Sequence, residues 1–169
     1  MIYSITKMEQ KFFDSIIIFT DGSCLNIGKK NAKAGIGIHF PNKEFSDISE
    51  PFLETPITNQ RAELFAIYKA LTQVTNNIKF NKIIIYSDSI YSIKSLTEWI
   101  KIWERNNWKN SKKKQVKNLD IISSIKIILD QHCDKIFFKH VKAHTGKKDY
   151  ESICNEIADK LAQNGSLKN

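Results

Sequence analysis

Residues Ile16–Cys24 read IIIFTDGSC, and how this stretch folds decides how the rest of the chain is arranged. Four apolar residues in a row, Ile16 to Phe19, match a strand buried on both faces, as in sheets covered by helices. Asp21 lies just past them, followed by Gly22 and small polar residues. A carboxylate there is either a turn residue or a ligand aimed into the crevice at the strand's end, where open α/β sheets bind ligands. The pattern recurs at Lys82–Ser89, KIIIYSDS, where Asp88 stands two residues beyond an apolar run. Two strands presenting carboxylates alike favour one shared site over two unrelated turns.

Upstream, residues 1–15 are mixed and polar and read as an N-terminal extension, with Phe12 and Phe13 packing against the first strand. Downstream, Cys24–Lys33 is a loop, and Ala34–Phe40, AGIGIHF, alternates as a second strand whose Gly35 and Gly37 thin one face. Pro41–Lys43 turns the chain into a third strand over Glu44–Phe52, completing an antiparallel meander. Asn59–Thr75 is the clearest helix, with Thr58 as its N-cap and apolar residues at 64, 67, 70, 71 and 74. Glu63 falls at the centre of the face made by Ile67, Ala70 and Val74. It could favour the helix's positive end or pair with Arg61. An ionised carboxylate in a core-facing stripe is nonetheless costly without a partner, and a cation explains its inward direction best.

Ile90–Trp103 reads as a helix, and Trp99, Trp103 and Trp108 are all the tryptophans of the chain. Lys109, Lys112, Lys113, Lys114 and Lys117 follow. Such a run alone is a solvated surface beside core aromatics. On a basic protein, lysines interleaved with flat rings also suit phosphates and bases. Leu119–Gln131 is a further amphipathic helix, and Lys135–Val141 a strand. The loop Lys142–Tyr150 carries His144, which taken alone reads as a surface residue. Glu151–Asn164 closes the chain as a helix, with Asp159 at the edge of an Ile153–Ile157–Leu161 stripe. Ala158 and Ala162 would let that helix approach its neighbours closely.

At 169 residues the chain fits one domain with a proper core, and its 41% hydrophobic and 26% charged residues are ordinary for a globular protein. The net charge of +8 points to a polyanionic partner, nucleic acid before anionic membrane. No apolar stretch approaches a membrane span, and no signal-peptide pattern opens the sequence. Three widely spaced cysteines, Cys24, Cys133 and Cys154, argue for reduced thiols in an intracellular protein of the cytoplasm or a nucleus-like compartment, not a secreted one.

The segments TDGSC, TNQRAEL, YSDS, KAHTG and NEIADKLA, in this order, resemble the ribonuclease H type 1 domain. The match runs over residues 16–165, leaving 166–169 as a C-terminal tail. The resemblance implies an α/β ribonuclease H-like fold, a five-stranded mixed sheet of order 3-2-1-4-5 with helices on both faces. It implies a monomeric endoribonuclease that hydrolyses the RNA strand of RNA/DNA hybrids, leaving 5′-phosphate and 3′-hydroxyl ends. Asp21, Glu63, Asp88 and Asp159 would be the catalytic carboxylates, holding two Mg²⁺ ions with Mn²⁺ as a substitute. His144 would serve as a mobile proton carrier or an aid to product release. Cys24, Asn26, Asn59 and Gln60 match contacts to the RNA minor groove. On the DNA side, Thr58 and Asn118 match a phosphate pocket, and Tyr91, Trp99, Trp103 and Ser111 a channel for the strand. The tryptophan-and-lysine interval, with Lys112, Lys113 and Lys114, is similar to the basic protrusion of cellular members.

Three departures stand out. Pro56 occupies the place of an arginine in the phosphate pocket. The interval from His144 to Asp159 is longer than usual. No separate hybrid-binding domain fits into the leading residues. The rival readings are a hybrid-binding module without catalysis, a different two-metal nuclease or integrase on the same fold, and a membrane-surface protein. The first would tolerate loss of the carboxylates, the second would not need TNQRAEL and the basic protrusion together, and the third predicts a basic amphipathic helix that is not found.

Overall fold

The apolar run at Ile16 becomes the middle of a much longer strand. In the computed structural model, which describes residues 10–143 and 145–168, β1 spans Phe12–Leu25. It pairs parallel with β4 (Lys79–Ser87) along its first half and antiparallel with β2 (Lys33–His39) along its second. With β3 (Ile48–Phe52) beside β2 and β5 (Ile136–His140) parallel to β4, the sheet has five strands in the order β3-β2-β1-β4-β5. That is the expected topology.

Asp21 is therefore inside a strand, opposite Gly37, and not just past one. The ladder to β4 stops at Phe19 and Tyr86, while the ladder to β2 continues to Leu25. Backbone pairing satisfies N–H and C=O groups whatever side chains they carry, so the polar TDGSC stretch extends the strand as readily as the isoleucines do. The consequence is positional. Asp21 stands on β1 where β4 has already ended, and Asp88 lies one residue beyond β4.

The third strand begins at Ile48, later than Glu44. Asp47 holds the preceding bend, its carboxylate accepting from the Phe40 amide at 3.0 Å and pairing with His39 Nδ1 at 2.9 Å. Pro51 is tolerated because β3 is an edge strand.

Helix α1 (Asn59–Asn77) packs on one face of the sheet, burying Leu64, Ile67, Ala70, Leu71 and Val74 against Ile16, Ile18, Ile36 and Ile38. The same core takes in residues from α2 (Ile90–Lys94), the π turn Ser95–Trp99, α3 (Ile100–Arg105) and α4 (Leu119–Gln131). The first three of these are continuous, so the Ile90–Trp103 helix passes through Trp99 with one widened turn.

On the other face lies α5 (Tyr150–Leu167), over Phe19 and Tyr86. Its buried stripe is Cys154, Ala158, Ala162 and Gly165, while Ile153 is exposed, which corrects the stripe expected over Ile153–Ile157–Leu161. The cause is steric. A Cβ on Gly35 would sit 2.1 Å from the Ser166 nitrogen, and one on Gly37 2.0 Å from the Ala158 carbonyl oxygen. Backbone rests on backbone there, so the seam admits only small residues. No helix among the described residues is long and apolar enough to cross a membrane.

Candidate active site

Gly22 sets the distance between the two elements that matter most. A Cβ there would lie 2.3 Å from the Glu63 nitrogen and 2.6 Å from the Ala62 carbonyl carbon, both backbone atoms. The first turn of α1 thus presses directly on β1, bringing Glu63 beside Asp21. The helix starts where Thr58 accepts a hydrogen bond from the Arg61 amide at 3.3 Å, as its N-cap position predicts. Replacing Gly22 by Ala should push α1 away at a cost of about 1–3 kcal/mol. A lowered melting temperature in Gly22→Ala would check this.

Asp21, Glu63 and Asp88 come together, with a carboxylate oxygen from each lying within 4.8 Å of the others. Asp21 and Glu63 are each only 5% exposed. Burial, then the neighbouring charges of Asp88 and Asp159, pushes the Asp21 carboxyl up to about 8. Burial and the charges of Asp21 and Asp88 likewise hold Glu63 well above the ordinary carboxylate range. Asn59 donates to Glu63 Oε1 at 3.4 Å, but Oε2 is buried with no hydrogen-bond partner among the described residues. Native proteins rarely leave a buried carboxylate oxygen unsatisfied, since desolvation costs it dearly. A hard oxygen-donor set of this kind fits a divalent cation such as Mg²⁺. Arg61 does not neutralise Glu63, because it makes a bidentate pair with Asp120 on α4 at 2.8 and 2.6 Å.

Asp159 lines the same cleft from α5, outside the tight cluster, and its Oδ1 accepts from Gln163 at 2.7 Å. The cleft encloses about 670 Å³ and also takes in Cys24 and Asn59, two of the residues expected at the RNA side. Gln60 is exposed on the first turn of α1, and Asn26 is exposed in the turn after β1, donating to the Asn31 carbonyl at 3.4 Å. His144 lies outside the described residues.

The residues expected on the DNA side gather elsewhere. Asn118 precedes α4 in a left-handed conformation and donates to the Tyr91 hydroxyl at 3.0 Å. The Tyr91 ring meets Trp99 edge-on at 6.1 Å, and Trp99 meets Trp103 at 5.7 Å. Trp99, Trp103 and Ser111 line a cavity of about 420 Å³. Lys112, Lys113 and Lys114 are exposed on the adjoining loop, where the Asn110 side chain accepts from the Lys112 and Lys114 amides. Trp103 and Trp108 also pack against the core, so both readings of the interval hold for different residues.

Of the cleft's ionisable side chains, His140 and Lys142 escaped the reading of the sequence. His140 is the last residue of β5, and the strand-end rule that singled out Asp88 applies equally to it.

Known proteins match this geometry. The RNase H family model covers residues 14–167. A probable ribonuclease H of Acanthamoeba polyphaga mimivirus is 40% identical over 143 residues, covering 83% of this chain and 62% of the relative. Ribonuclease HI of Haemophilus influenzae is 41% identical over 155 residues, covering 90% of this chain and 93% of the relative. The chain spans only about half the length, 50% to 53%, of eukaryotic ribonuclease H relatives. The solution structure of the PFV RNase H domain superposes with a TM-score of 0.71 at 26% identity, covering 90% of this chain and 94% of that one. Fold order, clustered carboxylates and sequence agree, and this chain belongs to the RNase H family as a type 1 member.

Proposed function

We propose that the protein is an endoribonuclease that hydrolyses the RNA strand of RNA/DNA hybrids, leaving 5′-phosphate and 3′-hydroxyl ends. The observation that carries this is the Asp21–Glu63–Asp88 cluster, with a buried Glu63 oxygen that has no partner among the described residues, in a member of the RNase H family. Asp21 and Asp88 would be shared ligands of two Mg²⁺ ions, Mn²⁺ being the substitute, with Glu63 and Asp159 each completing one sphere. A pair held by these four carboxylates would supply activation of the attacking water and charge stabilisation at the leaving 3′ oxygen. Gly22 holds Glu63 against Asp21, so the cluster is formed before substrate arrives. His144 carries protons or helps release product. Cys24, Asn26, Asn59 and Gln60 read the RNA strand, where the 2′-hydroxyl distinguishes it from DNA.

On the DNA side, Thr58 and Asn118 bind a phosphate, and Tyr91, Trp99, Trp103 and Ser111 guide the strand. Pro56 removes a guanidinium from that pocket, and Arg61 does not replace it because both its terminal nitrogens are held by Asp120. Lys112, Lys113 and Lys114 add affinity through phosphate contacts. Changing all three to alanine should flatten the slope of log affinity against log salt by at most roughly 2–3. KM should rise at moderate salt with kcat unchanged, the mark of lost uniform binding. A salt slope and KM equal to wild type would make the run a solvated loop.

We take 16–165 as the catalytic unit, with 1–15 as an extension that supplies the start of β1, while the expected 166–169 tail is corrected by α5, which runs on to Leu167 and buries Ser166. With Cys24, Cys133 and Cys154 as free thiols, we place a monomeric enzyme inside the cell, in the cytoplasm or a nucleus-like compartment. Labelled RNA/DNA hybrid, RNA duplex and DNA duplex, each with Mg²⁺ or EDTA, test the proposal. Only the hybrid with Mg²⁺ should be cut, and its products should carry the stated ends. Binding without cleavage would support the non-catalytic rival, and equal cutting of DNA duplex a different nuclease.

A further inference from the structure

The two residues assigned to the DNA phosphate are both helix caps, Thr58 for α1 and Asn118 for α4. A phosphate held by both is held from two helix N-termini at once, so their separation matters. Among the described residues no hydrogen bond joins the two caps, since Thr58 accepts from the Arg61 amide and Asn118 donates to Tyr91. The link between the helices is the Arg61 side chain. It stands in the first turn of α1, and its guanidinium makes the bidentate pair with Asp120 in the first turn of α4. A single hydrogen bond leaves its partners free to swing, whereas two parallel bonds from a planar fork fix distance and angle together.

A second observation is the setting of that guanidinium. Arg61 is 4% exposed, and its Nε is buried without a hydrogen-bond partner among the described residues. The Phe52 ring centre lies 6.0 Å from its central carbon, and Glu54 comes no closer than 3.8 Å. Burying a guanidinium with an unsatisfied nitrogen is costly, and an apolar side chain of similar volume commonly gives equal or greater stability. An apolar side chain would not, however, hold α4 at one distance and angle from α1.

We propose that Arg61 and Asp120 are positioning residues for the DNA-phosphate pocket, their pair setting the spacing of the α1 and α4 N-termini, and so of Thr58 and Asn118, to the width of one phosphate. The inference rests on the hybrid-cleaving reading and on the phosphate pocket within it. It gives a pocket that has Pro56 in place of a guanidinium preorganisation instead of charge.

The test is binding and cleavage of a hybrid with a single neutral methylphosphonate placed in turn along the DNA strand. Wild type should lose roughly tenfold in affinity at one position, the scale of one charge-assisted hydrogen bond. Asp120→Asn keeps the shape of the side chain but has one acceptor oxygen instead of two. The Asp120 side chain is 58% exposed, so the variant should fold. It should raise KM for unsubstituted hybrid roughly tenfold, keep kcat at saturation within about twofold, and be indifferent to the methylphosphonate at that position. Asp120→Glu, which keeps both oxygens, should recover most of the affinity. Arg61→Lys keeps the charge without the fork and should match Asp120→Asn. The Asp120 variants carry the test if Arg61→Lys does not fold.

A wild type indifferent to every methylphosphonate would overturn the pocket, and this inference with it, while cleavage stands. An Asp120→Asn protein with wild-type KM and wild-type methylphosphonate sensitivity would make the pair a structural tie only, whatever its melting temperature. A lowered KM would overturn the proposal by showing that the pair withholds Arg61 from the phosphate. Failure of wild type to cut unsubstituted hybrid would instead sink the proposed function.

Discussion

Asp21→Asn will abolish cleavage of RNA/DNA hybrid, lowering kcat roughly 10⁴-fold or more, the scale on which principal catalytic groups act. Asn keeps the shape of the side chain but cannot supply the second anionic oxygen that a shared metal ligand needs. Asp21 has Glu63 and Asp88 as close neighbours, and Asp159 adds its charge from α5. Asp88→Asn should be as severe, because Asp88 leads off β4 toward the same point. Hybrid binding should survive in both variants, since the contacts assigned to affinity lie on α1, the basic loop and the aromatic channel. Substantial Mg²⁺-dependent cleavage in both purified variants would remove the cluster from the chemistry.

Without divalent metal, the protein will lose stability as pH rises from about 4 to about 8. Asp21 holds a proton in the folded state up to about 8, whereas an unfolded chain releases it near 3.8. Over that window the native state binds more protons than the unfolded one, so stability falls with increasing pH. The loss is complete once pH passes the folded value. Glu63 shifts in the same direction and steepens the trend. Asp21→Asn removes one of the repelling charges and should raise the metal-free melting temperature at pH 8 by roughly 5–10 °C, a gain of a few kcal/mol. Mg²⁺ should raise the wild-type melting temperature at pH 8 and leave Asp21→Asn nearly unmoved. Thermal melts with EDTA at pH 5 and pH 8, then with Mg²⁺, measure all of this. A wild type as stable at pH 8 as at pH 5 would mean that burial and mutual repulsion do not hold protons on these carboxylates.

Much of the site was legible before any coordinates. Glu63 could be placed inward because a helix has a fixed period, and the structure buries it where that period puts it. Asp88 could be read from the apolar run that ends two residues earlier. Asp21 was read as a candidate site residue and the structure brings it beside Glu63 and Asp88, but its setting was misread, because a ladder to β2 prolongs β1 without any apolar signal. The buried stripe of α5 was misread for a related reason. Gly35 and Gly37 bring the backbones together, and such contact rewards small residues over the isoleucines that a hydrophobic pattern selects. Arg61 and Asp120 stand 59 residues apart in the chain, and nothing local to either announces the pair. His140 and Lys142 reach the cleft only because β5 lies beside β4.

The central claim is that Asp21, Glu63, Asp88 and Asp159 form one divalent-metal site. Anomalous scattering from Mn²⁺ in crystals of the wild-type protein bound to a short hybrid tests it most directly. The account predicts two Mn²⁺ ions in the cleft, roughly 3.5–4 Å apart. Asp21 and Asp88 should be in the coordination sphere of both, with the now unpartnered Glu63 Oε2 turned onto one of them. Mn²⁺ bound only elsewhere, with the cluster held by protons alone, would contradict it.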